Sequence, residues 1–174
     1  MNINIMEDLI TNLNYYAFYL ADIIFERNHI DKICDHLFIG NIYSALNEEY
    51  IKSSDINVVV NCSTTIPFID CIKYKYRLAI IDNEEDEEIE KMTQSMDEYI
   101  DIVNTHIENK KNVLVHCKAG VQRSATIVVG YLMKYKNYNL EEAIDYVKNI
   151  RPCIMTPTPH FIKSLIEYNK FISN

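Results

Sequence analysis

The segment NVLVHCKAGVQRSATIVVGYLMKY, residues 112–135, constrains this chain more than any other. Its first five residues form a compact apolar run with the length and β-branched content of a buried strand. The run SATIVVGYLMKY, residues 124–135, has the length and apolar content of a buried helix. Only the short stretch 117–123 joins the two. A strand that turns so directly into a helix points successive backbone N–H groups into a common hollow. The helix N-terminus adds its partial positive charge there, and together they bind an anion the size of phosphate.

The side chains in that turn add chemistry to the hollow. Cys117 follows the strand directly, Arg123 opens the helix, and the residues between them include Gly120. Arg123 can set a planar fork of donors on two phosphoryl oxygens. The helix end and the Arg123 charge favour the Cys117 thiolate, which should ionise well below the free-thiol value of about 8.5. A thiolate beneath a bound phosphate is an in-line nucleophile. Ser124 can donate a hydrogen bond to it and help it leave again. A lone cysteine at the end of a strand is most often just a small buried hydrophobe. Here that view must also account for His116, Gly120, Arg123 and Ser124 in register.

Elsewhere the chain alternates short strands and helices. Helical spacing runs through residues 6–27, with Leu9, Leu13, Tyr16, Leu20, Ile23 and Ile24 on one stripe. Strands are predicted at residues 37–40 (LFIG), 56–61 (INVVVN) and 74–81, and a helix at 45–53. The acidic run from Asp82 to Glu90 leads into a long helix ending near Glu108, its carboxylates suited to the helix start. Asn139 and Glu142 form a capping box for a helix that Pro152 ends, and Thr158–Pro159 reads as the N-cap and first turn of the last helix. The expected fold is one α/β domain with a central mixed, mainly parallel sheet flanked by helices. Residues 30–174 are expected to form that domain, and residues 1–29 a helical extension whose crowded apolar stripe fits either the domain itself or a second copy, giving a homodimer.

Charge and cysteine usage narrow the function classes. A formal charge of −8 over 174 residues argues against nucleic-acid binding and against docking on an anionic membrane, so any attraction for an anion must be local. The five cysteines show no C-x-x-C spacing, so neither a zinc site nor a disulfide framework is indicated. Glu7 and Asp8 stand where a signal peptide would be basic, and the longest apolar run, residues 127–133, is too short to span a bilayer. The expected location is the cytoplasm, a reducing compartment where a free thiolate survives.

His116-Cys117-Lys118-Ala119-Gly120-Val121-Gln122-Arg123-Ser124 resembles the signature loop of the protein tyrosine phosphatase superfamily, H-C-x-x-G-x-x-R-[S/T]. The flanks resemble its dual-specificity branch: LFIGNIYSA, INVVVNCS, GYLMKY and the ending NLEEAIDYVKNIRPCIMTPTPHFIKSLIEY are each similar to segments of that family, over roughly residues 33–170. The chain looks like a minimal, stand-alone member, of the kind that large DNA viruses such as poxviruses carry as well as cells. In a viral setting the expected location is host cytoplasm or virion. The resemblance implies a shallow pocket for phosphotyrosine, phosphoserine and phosphothreonine in proteins, with no metal or other cofactor.

It also implies an aspartate on a loop upstream of the cysteine that protonates the leaving group. Asp82 lies at the matching place, with Asp86 as the alternative because the acidic run leaves the alignment open. Gln122 stands where many members have serine, and is expected to donate to the loop or the phosphate. Thr158 stands where the family often has an asparagine that steadies the loop, which leaves the loop's support in question. Lys118 is shared with lipid-phosphatase relatives, but Val121 and Gln122 fill the places where those carry a second basic residue. Arg151 precedes Pro152 in a segment that the family packs near its active site, and fits support of substrate or of the loop, or equally a surface salt bridge. Two other readings compete: an RNA 5′-phosphatase, against which the charge counts, and a phosphoprotein-binding pseudophosphatase, against which the intact Cys117 and Arg123 count.

Overall fold

A computed structural model describes residues 29–173. The predicted N-terminal helix, and with it the proposed dimer contact, lies outside the described residues. The sheet has five strands, β1 (Ile30–Cys34), β2 (Leu37–Gly40), β3 (Ile56–Asn61), β4 (Tyr74–Arg77) and β5 (Asn112–His116), in the spatial order β1-β2-β5-β3-β4. Only β1–β2 is antiparallel; β2–β5, β5–β3 and β3–β4 are parallel. The sheet is therefore mixed and mainly parallel, as expected.

Side-chain alternation divides the strands between two cores. Leu37, Ile39, Val58, Val60, Val113 and Val115 face one side. There they meet the helices α3 (Asp86–Glu108), α4 (Arg123–Lys136), α5 (Leu140–Ile150) and α6 (Ile162–Ile172). Val59 and Leu114 face the other side, against Ala45 of α1 (Ile42–Leu46), Ile51 of α2 (Glu48–Ser53) and Ile72. Helix α4 is buried along nearly its whole length, from Arg123 to Met133. At Gly130 a Cβ would come within 2.5 Å of the Ile100 side chain, so the glycine lets α4 lie close on α3.

Three expectations meet a different outcome, and one strand lies outside them all. The single helix predicted over 45–53 is two, because Asn47 adopts an extended conformation and caps the second, its Oδ1 accepting from Tyr50 N at 2.9 Å. The strand predicted over 74–81 stops at Arg77, because β3 ends opposite it at Asn61 and the ladder has no further partner. The last helix does not start at Thr158–Pro159 but at Ile162, with no side-chain cap. The Thr156 and Thr158 carbonyls are drawn into hydrogen bonds with Gln122, and the Thr158 hydroxyl turns to Glu84, which holds the segment out of helical geometry. Strand β1 was not foreseen. It is an edge strand with a register shift between Lys32 and Cys34, and its charged residues hide the alternation. The capping box at Asn139 and Glu142 is present, both bonds at 3.0 Å.

Candidate active site

Strands β3 and β5 end side by side at the middle of the sheet, with Asn61 opposite His116 and Cys62 N donating to His116 O at 2.7 Å. Ligands of open parallel sheets bind at such carboxyl ends. Cys117 is the first residue beyond β5, and its side chain is fully buried at the floor of the turn. Gly120 N donates to Cys117 Sγ at 3.2 Å, and Ser124 Oγ lies 3.4 Å from it. Burial alone would push this thiol up. The Arg123 charge and hydrogen bonds from Ser124 outweigh it and hold the group below the ordinary thiol range.

The residues between Cys117 and Arg123 are clamped from behind. Lys118 O accepts from Ile42 N at 3.1 Å, Gly120 O from Arg151 Nε at 2.8 Å, and Val121 O from Met155 N at 2.9 Å. In a trans peptide the N–H points away from the preceding carbonyl. Outward carbonyls at 118, 120 and 121 therefore turn the next N–H groups, those of Ala119, Val121 and Gln122, toward the hollow. Gly120 has φ +68°, and a Cβ there would sit 2.6 Å from Gly40 O and 2.7 Å from Arg151 Nη2, so only glycine fits.

Arg123 is buried at the first position of α4. Its Nη1 donates to Ile80 O at 3.0 Å, and its Nη2 pairs with Asp82 Oδ2 at 3.1 Å. Its Nε is buried with no partner among the described residues, a donor still in need of an acceptor. Asp82 is half-buried, on the loop that follows the extended segment after β4. That loop is fastened by the buried Glu88, whose Oε2 accepts from Ile81 N at 2.7 Å. Asp82 Oδ1 lies 2.9 Å from His160 Nδ1. Asp86 is the first residue of α3, almost fully exposed, and its ion-pair partner is Lys163 at 3.7 Å. The fold brings Asp82, and not Asp86, to Arg123.

The other loop residues have plainer places. Lys118 is exposed, Ala119 half-buried, and Val121 and Gln122 buried. His116 is fully buried. Burial, with the Arg77 and Arg123 charges adding to it, pushes its imidazole down to about 4, so it is neutral near pH 7. Of the remaining cysteines, Cys62 is fully buried, and burial pushes its thiol up; Cys34, Cys71 and Cys153 are partly exposed and free.

Three features of the site escaped the sequence reading or were left open by it. Arg151 is a loop support and not a surface group: it is 2 % exposed, clamps Gly120 O, and pairs with Asp31 Oδ2 at 2.6 Å. Gln122 reaches neither thiolate nor hollow with its side chain. Its Nε2 donates to Thr156 O at 3.2 Å and Thr158 O at 2.7 Å, and its Oε1 accepts from His160 N at 3.2 Å. His160 itself was not singled out, and nothing in the sequence ties it to a carboxylate so far upstream.

A buried cysteine held below the ordinary thiol range by an arginine, under a ring of amides and with an aspartate on a facing loop, defines a cysteine-based phosphate-ester site. The sequence matches the dual specificity phosphatase catalytic domain over residues 37–171. The chain belongs to that family. It is 36 % identical over 143 residues to human dual specificity protein phosphatase 16, an alignment covering 82 % of this chain but only 21 % of that protein. It is 31 % identical over 145 residues to the protein 123R of Invertebrate iridescent virus 6, covering 82 % of this chain and 94 % of its relative. Among solved structures, human DUSP28 superposes with a TM-score of 0.76 at 22 % identity, covering 84 % of this chain and 97 % of that one, a likeness that bears on the fold.

Proposed function

We propose that this chain hydrolyses phosphotyrosine and phosphoserine or phosphothreonine in proteins through a phosphocysteine on Cys117. The observation that carries this reading is the buried Cys117 thiol, held below its ordinary range by the Arg123 charge and Ser124, with the Arg123 Nε lacking an acceptor among the described residues. The phosphoryl oxygens take the loop amides and the Arg123 fork. The Cys117 thiolate attacks phosphorus, the bond to the side-chain oxygen breaks, and the leaving oxygen takes a proton from the Asp82 carboxylic acid. Water then attacks the phosphocysteine and gives its proton to the Asp82 carboxylate. The S–P bond breaks, and Ser124 stabilises the returning thiolate. The positive field comes from Arg123, the amides and the helix end.

Five free cysteines and a catalysis that needs a thiolate support a reducing, cytoplasmic setting. A homodimer through residues 1–29 rests on the apolar stripe of the sequence, and the solution mass of the full chain reads it directly.

Phosphate release from phosphotyrosine and phosphothreonine peptides tests the reading. Wild type should turn over both, Cys117→Ser neither, and Asp82→Ala should be slower by on the order of 10²–10⁴. A folded wild type that binds these peptides without releasing phosphate would sink it, in favour of a binding module.

A further inference from the structure

The two oxygens of Asp82 have different neighbours. Oδ2 lies 3.1 Å from Arg123 Nη2, on the side of the phosphate loop. Oδ1 lies 2.9 Å from His160 Nδ1. The other ring nitrogen, Nε2, is 3.7 Å from Glu84 Oε1, beyond hydrogen-bonding distance. The ring is carried on an anchored backbone: His160 N donates to Gln122 Oε1, and the Gln122 amide nitrogen holds the carbonyls of Thr156 and Thr158. Gln122 is 4 % exposed and is itself part of the phosphate loop. One buried side chain thus ties the imidazole to the frame that will hold the substrate.

We propose that His160 is a positioning residue for proton transfer: it donates from Nδ1 to Asp82 Oδ1 and so places the transferable proton on Oδ2. This rests on the phosphatase reading above. A carboxylic acid carries its proton on one oxygen, and the other is a carbonyl acceptor. An Nδ1–H aimed at Oδ1 makes Oδ1 the carbonyl, which leaves the O–H on the side of Arg123. A phosphate that takes the Arg123 fork releases Oδ2 from its ion pair toward the leaving oxygen. As Oδ2 gives up its proton, the carboxylate charge grows and the Nδ1–H···Oδ1 bond becomes charge-assisted. The contact is therefore stronger in the transition state than in the ground state, the condition for raising kcat. In the second half-reaction Oδ2 takes the proton of water while Oδ1 stays bound. A ring with its proton on Nε2 alone would instead draw the acid's O–H toward itself, away from the leaving group.

The test uses two aryl phosphates on the full chain: one with an electron-poor phenol that leaves without help, and phenyl phosphate, whose leaving oxygen needs a proton. His160→Ala should lower kcat/KM for phenyl phosphate by about tenfold relative to the activated ester, a part of what the acid itself supplies. His160→Asn, whose amide N–H can take the place of Nδ1, should recover most of that loss. In an Asp82→Ala background, His160→Ala should change the ratio no further. Equal losses on both esters, failure of the folded asparagine variant to recover, or additive effects with Asp82→Ala would each overturn the proposal. A wild type inactive on both esters would instead bring down the phosphatase reading, and this inference with it.

Discussion

Arg151 offers the sharpest test of how the phosphate loop is held. Its guanidinium is 2 % exposed, and it meets Asp31, whose side chain is 9 % exposed, at 2.6 Å. Its Nε also holds the carbonyl of Gly120 at 2.8 Å. Arg151→Met fills the space of the aliphatic stem but leaves the Asp31 carboxylate buried without this cation. Removing one partner of a buried pair costs about 3–5 kcal/mol. Against a total stability of about 5–15 kcal/mol, that is a large share. Removing both charges together, in Arg151→Met/Asp31→Leu, should restore much of it, since a buried pair is seldom better than a well-packed apolar one. Activity should not return with it. The Gly120 carbonyl still lacks its guanidinium clamp, and a small displacement of catalytic groups costs up to about 10²-fold in rate. Urea unfolding of the two variants, with kcat/KM on a phosphotyrosine peptide, separates the effects. A single variant within about 1 kcal/mol of wild type, or a double variant with full activity, would refute the reasoning.

Two further outcomes follow from the buried titratable groups. The folded value of His116, about 4, lies below the unfolded value of about 6.5, so the unfolded chain binds the extra proton first as pH falls. This group's share of stability is intact above pH 6.5 and lost on the way down to pH 4, about 3 kcal/mol in all; His116→Asn should remove that part of the slope in denaturant titrations at stepped pH. Alkylation of Cys117 by iodoacetamide should show a midpoint below the ordinary thiol value. In Arg123→Ala the midpoint should move up, because the charge that opposes burial is gone; an unmoved midpoint would contradict the origin assigned to the lowered thiol.

Legibility in the sequence followed how local each feature is. Strands β3 and β5 carry dense β-branched runs, and the structure gives them the predicted limits, Ile56–Asn61 and Asn112–His116. The phosphate loop could be read because strand, glycine, arginine and helix lie within a few residues of one another. Strand β1 and the early end of β4 could not, since an edge strand with charged residues and the loss of a ladder partner both depend on neighbours far along the chain. For Arg151, with partners 31 and 120 residues away, the resemblance offered loop support as one of several roles, and only the fold shows which carbonyl and which carboxylate it meets. Asp82 could be placed on its loop by resemblance, but only the fold shows its carboxylate brought to Arg123 while that of Asp86 is left in solvent.

The two departures from the family pattern, Gln122 and Thr158, become one feature when their contacts are combined. Thr158 does not steady the phosphate loop with its side chain, since its hydroxyl bonds to Glu84. Its carbonyl does, by accepting from Gln122, whose amide spans from the phosphate loop to the segment before α6. A serine at 122 has too short a side chain to take the place of all three bonds that Gln122 makes there. The longer residue thus compensates for what position 158 lacks, and its third bond, from His160 N, extends the support to the backbone of the residue whose ring meets Asp82. The loop after Cys117 and the segment carrying His160, which meets Asp82, thus share a single buried side chain. Under the proposed mechanism, a change at Gln122 is expected to act on phosphate binding and on proton transfer together.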